Sequence, residues 1–182
     1  MWRENQPKLD ATSLVFLDET GIMTNMTRRC GRGPRYERLV CKTPHGHWKT
    51  STFIAGLRMD GMTAPFLLEG PMDGVAFRIY VTDVLAPTLK PGDIVVMDNL
   101  QTHKVEGIRA AIEAVGATVL YLPPYSPDFN PIEQAFSKLK ALLRRAEERT
   151  IDALWNAVGA FLCRFMPTEC KNYFRNSGYE PD

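Results

Sequence analysis

The fold is decided by two short apolar runs that each end in an aspartate, LVFLD at Leu14–Asp18 and IVVMD at Ile94–Asp98. Such runs are typical of buried strands in a mostly parallel sheet. In folds that contain such a sheet, ligands gather at the carboxyl ends of the strands. We therefore expect the two aspartates to lie close together at one edge of an α/β sheet.

A third acid, Glu133, stands at the start of a predicted helix, and 34 residues separate it from Asp98. Carboxylate oxygens are the ligands that Mg²⁺ prefers in proteins. A pair of such ions can activate a nucleophile and stabilise a leaving oxygen at phosphorus. Asp18, Asp98 and Glu133 are thus candidates for both the metal ligands and the catalytic residues.

A helix cap offers a simpler reason for Glu133. With Asn130 at the N-cap and Pro131 at the first helical position, Glu133 takes the third position, as in a capping box. The presence of Asp18 and Asp98 in the same chain favours the catalytic interpretation.

Composition indicates one soluble globular domain. The chain has 182 residues, of which 45% are hydrophobic and 24% are charged, and these values are ordinary for a globular protein. No stretch reaches the roughly 20 apolar residues that span a bilayer, and the N-terminus lacks the apolar core of a signal peptide. We expect a cytoplasmic protein whose four cysteines are free thiols.

Strand and helix signals fill the rest of the chain. They predict strands at 13–18, within 28–40, at 50–59 in a hairpin with 63–68, at 94–98 and at 118–122. They predict helices at 73–85 and 104–115, a third that contains Glu133, and a fourth from Thr150 onward. Strands first, then alternating helix and strand, then helices, indicate an α/β fold.

Positive charge is concentrated between residues 24 and 50, although the net charge of the chain is only +1. This segment contains seven basic residues and the single acid Glu37. A basic segment broken by Gly and Pro residues fits binding to a phosphate backbone, but a solvated loop would have the same composition. An acidic metal site in the same chain favours DNA binding. The candidate DNA contacts are Arg28, Arg29, Arg32, Arg35, Lys49 and His103, of which His103 could equally cap the next helix.

The stretches around the three acids resemble the catalytic domain of DDE transposases, in the bacterial insertion-sequence branch related to the mariner elements. They read LDETG at Leu17–Gly21, MDNLQTHK at Met97–Lys104 and YSPDFNPIE at Tyr125–Glu133. The resemblance covers about residues 12–175 and favours Asp18 over Glu19 as the acid that faces the metal. It implies a ribonuclease-H-like fold, in which a five-stranded mixed sheet carries helices on both faces.

The resemblance also implies a function. Asp18, Asp98 and Glu133 would bind two Mg²⁺ or Mn²⁺ ions and carry out the DNA cleavage and strand transfer that move an insertion sequence. The partner would be DNA, as transposon ends and target, and the protein would act on it as a homodimer at the nucleoid. Two alternatives remain open: a ribonuclease-H-like nuclease without strand transfer, and a DNA-binding remnant without catalysis.

Whole transposases of this family carry helix-turn-helix modules ahead of the catalytic domain. Here the first predicted strand begins near residue 13, so we expect a single catalytic domain over residues 1–182 and no such module. The chain would then be a separate reading frame, a truncated remnant or an excised domain.

Overall fold

The computed structural model describes residues 2–40 and 42–180, apart from the side chains of Gln101 and Thr102. In this part of the chain, five strands form one sheet: β1 (Leu14–Met23), β2 (Thr50–Arg58), β3 (Gly61–Glu69), β4 (Ile94–Met97) and β5 (Thr118–Tyr121). Their order in the sheet is β3-β2-β1-β4-β5. β1, β4 and β5 run parallel, whereas β2 is antiparallel to both of its neighbours. The predicted mixed sheet is therefore confirmed.

Helices lie on both faces of this sheet. Within the described residues they are α1 (Trp2–Asn5), α2 (Gly74–Tyr80), α3 (Ile108–Glu113), α4 (Ile132–Ala146), α5 (Ile151–Leu162) and α6 (Pro167–Asn176). A π-helix at Val81–Leu85 continues α2, and 3₁₀ helices occupy Gln6–Lys8, Ala11–Ser13, Ala86–Thr88, Gln101–Lys104 and Pro127–Phe129. Side chains of α4, α5 and α6 share one core, and those of α2 and α3 share the other. None of the helices described is long and apolar enough to cross a membrane.

β1 lies in the middle of the sheet, and its side chains alternate between the two cores. Phe16 belongs to the core beneath α4 and α6, where its ring contacts Phe174 and Tyr179. Leu17 belongs to the other core, with Phe77 of α2. Burial on both faces fixes the register of the strand, because a slip of one residue would move every side chain to the wrong face.

Two predicted helix starts are confirmed by their caps. The side chain of Asp73 accepts a hydrogen bond from the amide of Ala76 at 2.8 Å, and that of Thr150 accepts one from the amide of Ala153 at 3.2 Å. Each bond satisfies an amide that the first turn of a helix leaves unpaired. The predicted hairpin of β2 and β3 is also confirmed.

Two other predictions of secondary structure are wrong. The strand expected within 28–40 is absent from the described residues, since 27–40 and 42–49 form a loop with no regular structure. No residue of this segment takes part in the pairing of β1 with β2 or with β4, and a strand exists only where such pairing is formed. The helix expected at 104–115 is shorter, because Val105 is extended and Gly107 has a φ of 93°.

The described cysteines are free thiols, as expected: Cys30 and Cys163 are exposed and Cys170 is buried. Cys41 lies outside the described residues.

Candidate active site

The three predicted acids line one cavity, at the carboxyl ends of β4 and β5. Asp18 lies within β1, Asp98 directly follows β4, and Glu133 lies in the first turn of α4. The cavity has a volume of about 370 Å³, and its lining also includes Asn99, Leu100, Asn130 and residues of the loop 122–127. β1 pairs with β4 as far as Leu17 and Met97, so Asp18 and Asp98 follow side by side. β1 itself continues past its predicted end at residue 18, to Met23.

Asp18 is the most buried of the three acids, with 9% of its surface exposed. Its Oδ1 accepts a hydrogen bond from the amide of Glu19 at 2.8 Å, and its Oδ2 accepts one from Nδ2 of Asn130 at 2.8 Å. Burial raises the pKa of Asp18 to about 7, the amide bond opposes this, and the nearby charges of Glu133, Glu19 and Asp98 add to it. Negative charge is therefore in excess at this cavity.

Asp98 is held by a buried histidine. Nδ1 of His103 lies 2.5 Å from Oδ1 of Asp98, and its Nε2 lies 3.0 Å from Oε2 of Glu19. Burial disfavours the charged imidazole, but the two carboxylates outweigh burial and raise the pKa of His103 to about 10. Burial likewise opposes ionisation of Asp98, yet the contact with His103 keeps the pKa of Asp98 below its ordinary value. His103 is thus an imidazolium that bridges two carboxylates at neutral pH.

The DNA contact predicted for His103 does not agree with its position. Only 1% of its side chain is exposed, and its ring lies 4.4 Å from that of Phe77 between centroids. A phosphate cannot reach a side chain that is covered in this way. His103 does not cap α3 either, because that helix begins at Ile108.

Sequence reasoning set Glu19 aside and missed its role. Glu19 does face away from the cavity, as strand alternation predicts, and it binds His103 instead. In the sequence 83 residues separate the two, and nothing local in either stretch indicates that they meet.

Asn130 also has a role that differs from the predicted one. The helix α4 begins after Pro131, and no side chain caps it. The side chain of Asn130 instead donates a hydrogen bond to Asp18. The capping-box interpretation of Glu133 is therefore wrong. Asn130 is 4% exposed, and its Oδ1 finds no hydrogen-bond partner among the described residues.

The loop between β5 and α4 carries a strained residue at the cavity. Tyr125 has a φ of 55°, in the left-handed region, and its side chain is fully exposed. Such a conformation costs on the order of 1–3 kcal/mol for a residue other than glycine. Strain of this kind persists only where the surrounding structure fixes it, here the proline-rich stretch 123–127.

The donor set suits a hard divalent cation. Three carboxylates and the free amide oxygen of Asn130 are oxygen ligands, which Mg²⁺ and Mn²⁺ prefer. The raised pKa of Asp18 and the unpartnered Oδ1 of Asn130 are both features that a bound cation would relieve. In the described part of the chain, however, no three acidic, histidine or cysteine side chains already converge as a metal site. The three acids line the same cavity, but their side chains do not converge on one point.

The basic residues predicted to contact DNA are not part of this cavity. Arg28, Arg29, Arg32 and Arg35 are exposed on the loop between β1 and β2. Lys49, at the end of that loop, lies with its Nζ 3.3 Å from Oε1 of Glu69. The structure thus separates the basic loop from the acids.

One protein-family profile matches most of the sequence. The sequence profile of the DDE superfamily endonucleases matches residues 13–154. Among curated proteins, none matches the sequence significantly.

Solved structures of the Mos1 mariner transposase share the fold. The Mos1 paired-end complex with the left transposon end has a TM-score of 0.72 at 17% identity, over 95% of this chain and 53% of that one. The Mos1 paired-end complex with Mg gives 0.72 at 16% identity, over 96% and 59%. The Mos1 catalytic domain gives 0.64 at 16% identity, over 96% and 79%.

This chain spans a little more than half of the Mos1 chains in the paired-end complexes. The structural likeness confirms the predicted ribonuclease-H-like fold. Because the family profile covers most of the sequence, the chain belongs to the DDE superfamily endonucleases.

Proposed function

We propose that this chain is the catalytic domain of a transposase, which uses divalent metal ions to cleave DNA and join the cut strand to a target. One observation carries the proposal: Asp18, Asp98 and Glu133 line the same cavity in a chain of the DDE superfamily endonucleases. Mos1, which shares the fold, forms complexes with transposon ends, with Mg and with Mn. The same classes of partner are proposed here.

Asp18, Asp98 and Glu133 would hold two Mg²⁺ or Mn²⁺ ions. Such ions, when bound, supply positive charge that stabilises the oxygens around a reacting phosphorus. Asn130 orients the carboxylate of Asp18 through its 2.8 Å hydrogen bond. His103 orients Asp98 by occupying Oδ1, which also accepts from the amide of Leu100 at 3.2 Å, so Oδ2 remains available as a ligand.

In each step of the proposed reaction, one bond to phosphorus forms and another breaks. In cleavage, the oxygen of water attacks a phosphodiester, the bond from phosphorus to the 3′ oxygen breaks, and a proton from the water ends on that oxygen. In strand transfer, the freed 3′-hydroxyl attacks a phosphodiester of the target, and a new 3′-hydroxyl leaves. Neither step forms a covalent bond to the protein. We further propose that a homodimer performs both steps on DNA at the nucleoid, in the cytoplasm.

The test is a nicking assay on supercoiled plasmid in Mg²⁺ or Mn²⁺. We expect Asp18→Asn, Asp98→Asn and Glu133→Gln each to lower the rate by at least about a hundredfold, because each change removes a major electrostatic contribution to the transition state. Asp128→Asn is the matched control, since Asp128 is exposed near the same cavity without lining it. Equal rates in Asp98→Asn and Asp128→Asn would refute the assignment.

A second assay separates strand transfer from simple cleavage. A duplex with a pre-cut 3′-hydroxyl end is incubated with plasmid, and joined products are counted. Joined products that disappear in Asp98→Asn support the transposase. Nicking without joining indicates the nuclease alternative, and DNA binding without nicking indicates the remnant.

A further inference from the structure

A second cleft lies between β1 and α4, separate from the acidic cavity. It has a volume of about 270 Å³ and is lined by Gly21 and Met23 of β1, by Arg29 of the loop, and by Lys140 and Arg144 of α4. None of these residues lines the cavity that holds the three acids.

The charges of this cleft are not compensated. Arg29, Lys140 and Arg144 form no ion pair with an acid of the described residues, unlike Lys138 on the same helix, which pairs with Glu169. Partial burial lowers the pKa of Arg144, and the charge of Arg29 lowers it further. Two guanidinium groups that repel each other beside an unpaired lysine make a place where an anion is stabilised.

The walls of the cleft are fixed by contacts that leave the three cations free. Nη1 of Arg149 donates to the carbonyl oxygens of Met26 and Thr24, at 2.9 and 3.3 Å. The amide of Thr24 donates a hydrogen bond to the carbonyl oxygen of Lys49 at 3.1 Å. The loop is therefore anchored at its base, a few residues before Arg29.

The cleft and the acidic cavity lie along the same two elements. On α4, Glu133, Lys140 and Arg144 share one face because they are seven and four residues apart. A rise of 1.5 Å per residue places Lys140 and Arg144 about 10 and 16 Å beyond Glu133. On β1, Gly21 and Met23 lie about 10 and 16 Å beyond Asp18, at roughly 3.3 Å per residue. Both elements therefore lead from the acids to the cations over the same distance.

We propose that Arg29, Lys140 and Arg144 bind the phosphate backbone of the DNA strand whose reacting phosphodiester occupies the acidic cavity. At about 3.4 Å per nucleotide of duplex, 10 to 16 Å corresponds to roughly three to five nucleotides from the reacting bond. The position of the reacting bond in the acidic cavity rests on the proposed function. The affinity of the cleft for DNA does not depend on catalysis.

The first test compares neighbouring residues of α4. Arg144→Glu and Lys140→Glu change the cleft, whereas Arg145→Glu makes the same change of charge on an exposed side chain outside it. Binding of a fluorescein-labelled duplex is measured by anisotropy in EDTA, between about 50 and 200 mM salt. Circular dichroism verifies that each variant is folded, and having two cleft variants keeps the test valid if one of them is not.

We expect Arg144→Glu and Lys140→Glu each to weaken binding roughly three- to tenfold at low salt and to flatten the salt slope by about one unit. Arg145→Glu should leave both quantities close to wild type. If the Arg145→Glu variant loses as much affinity as the cleft variants, only general charge matters and the proposal is overturned.

The second test addresses the spacing. Neutral methylphosphonates replace single phosphates in a duplex with a pre-cut 3′-hydroxyl end. In the wild type, we expect affinity to fall when the replaced phosphate is about three to five nucleotides from that end. In Arg144→Glu the same replacements should no longer lower the affinity, and this pair of results supports the proposal. The same loss at every position overturns the spacing. Because binding is measured without divalent metal, absence of nicking would refute the proposed function and leave this result standing.

Discussion

His103 sets the charge state of two acids at once. It is the only described cation in contact with Asp98, and it is shared with Glu19. Removing it leaves two carboxylates that are 34% and 22% exposed without a counter-charge. Taking one partner from a fully buried ion pair costs about 3–5 kcal/mol, and partial exposure reduces this through solvent screening.

We therefore expect His103→Ala to lower the free energy of unfolding by roughly 2–4 kcal/mol at neutral pH. The matched control is His47→Ala, because His47 is exposed on the loop. The folded pKa of His103, about 10, is above its ordinary value of 6.5. Its stabilisation is thus fully present below pH 6.5 and is lost as pH rises towards 10. Denaturant titrations at several pH values check this, and a deficit in His103→Ala that does not change with pH would contradict it.

The charged form of Asp18 destabilises the metal-free protein, whereas the charged form of His103 stabilises it. Its folded pKa, about 7, is above its ordinary value of 3.8, so between these values the folded state binds more protons than the unfolded state. Stability of the metal-free protein should then fall as pH rises from about 4 to 7, by at most about 1.4 kcal/mol per pH unit.

Denaturant titrations in EDTA check this prediction. We expect Asp18→Asn to lose the fall in stability and to exceed wild type at pH 7, because the neutral amide carries no buried charge. Asp128→Asn should follow the wild-type curve, since Asp128 is exposed. Parallel curves for wild type and Asp18→Asn would show that Asp18 is ionised in the folded protein well below pH 7.

At the scale of elements, the loop between β1 and β2 presents most of the predicted DNA contacts. Residues 28–40 and 42–49 are exposed, so basic side chains there can approach phosphate without desolvation. Contacts of this kind release condensed counterions and carry no sequence information.

We expect Arg32→Glu to weaken duplex binding about equally for all sequences and to reduce the salt slope by about one unit. Lys90→Glu is the control, because Lys90 is exposed and precedes the amino end of β4, whereas Asp98 follows its carboxyl end. Anisotropy titrations with random and candidate end sequences give both quantities. A loss confined to one sequence would mean that the loop reads bases.

Elements with strong local signals were predictable from the sequence. β1 and β4 carry uninterrupted apolar runs, and α2 and α5 begin at side-chain caps. The expected strand within 28–40 failed because a strand needs a partner strand, and no residue of this segment pairs with the sheet. Pairing across the sheet is a property of the whole fold, and local composition does not contain it.

The candidate site divides in the same way. The three acids were predictable, because two of them follow apolar runs typical of strands, the third stands at the start of a helix, and the interval between the last two is distinctive. Their supports were not. Asn130 occurs in a sequence that also suits a helix cap, and its bond to Asp18 spans 112 residues. Distant partners of this kind become visible only when the chain is folded.

On the scale of the whole molecule, the fold brings acids from three distant parts of the sequence to one cavity. Without a cation, burial raises the pKa of Asp18, and the charges of Glu133 and Asp98 raise it further. A ligand that binds only the folded state stabilises it by mass action, by about 2.7 kcal/mol at a hundred times its Kd. For a chain of this size that corresponds to a rise in Tm of roughly 5–10 °C.

We therefore expect Mn²⁺ or Mg²⁺ to raise the Tm of the wild type, and Asp98→Asn to lose most of this increase because one ligand is gone. Asp128→Asn should keep the full increase, which excludes a general effect of divalent ions on surface charge. Differential scanning calorimetry at fixed ionic strength measures both, with no need for catalysis. If wild type and Asp98→Asn shift equally, the ions bind elsewhere, and the acidic cavity is not the metal site even in a protein that cleaves DNA.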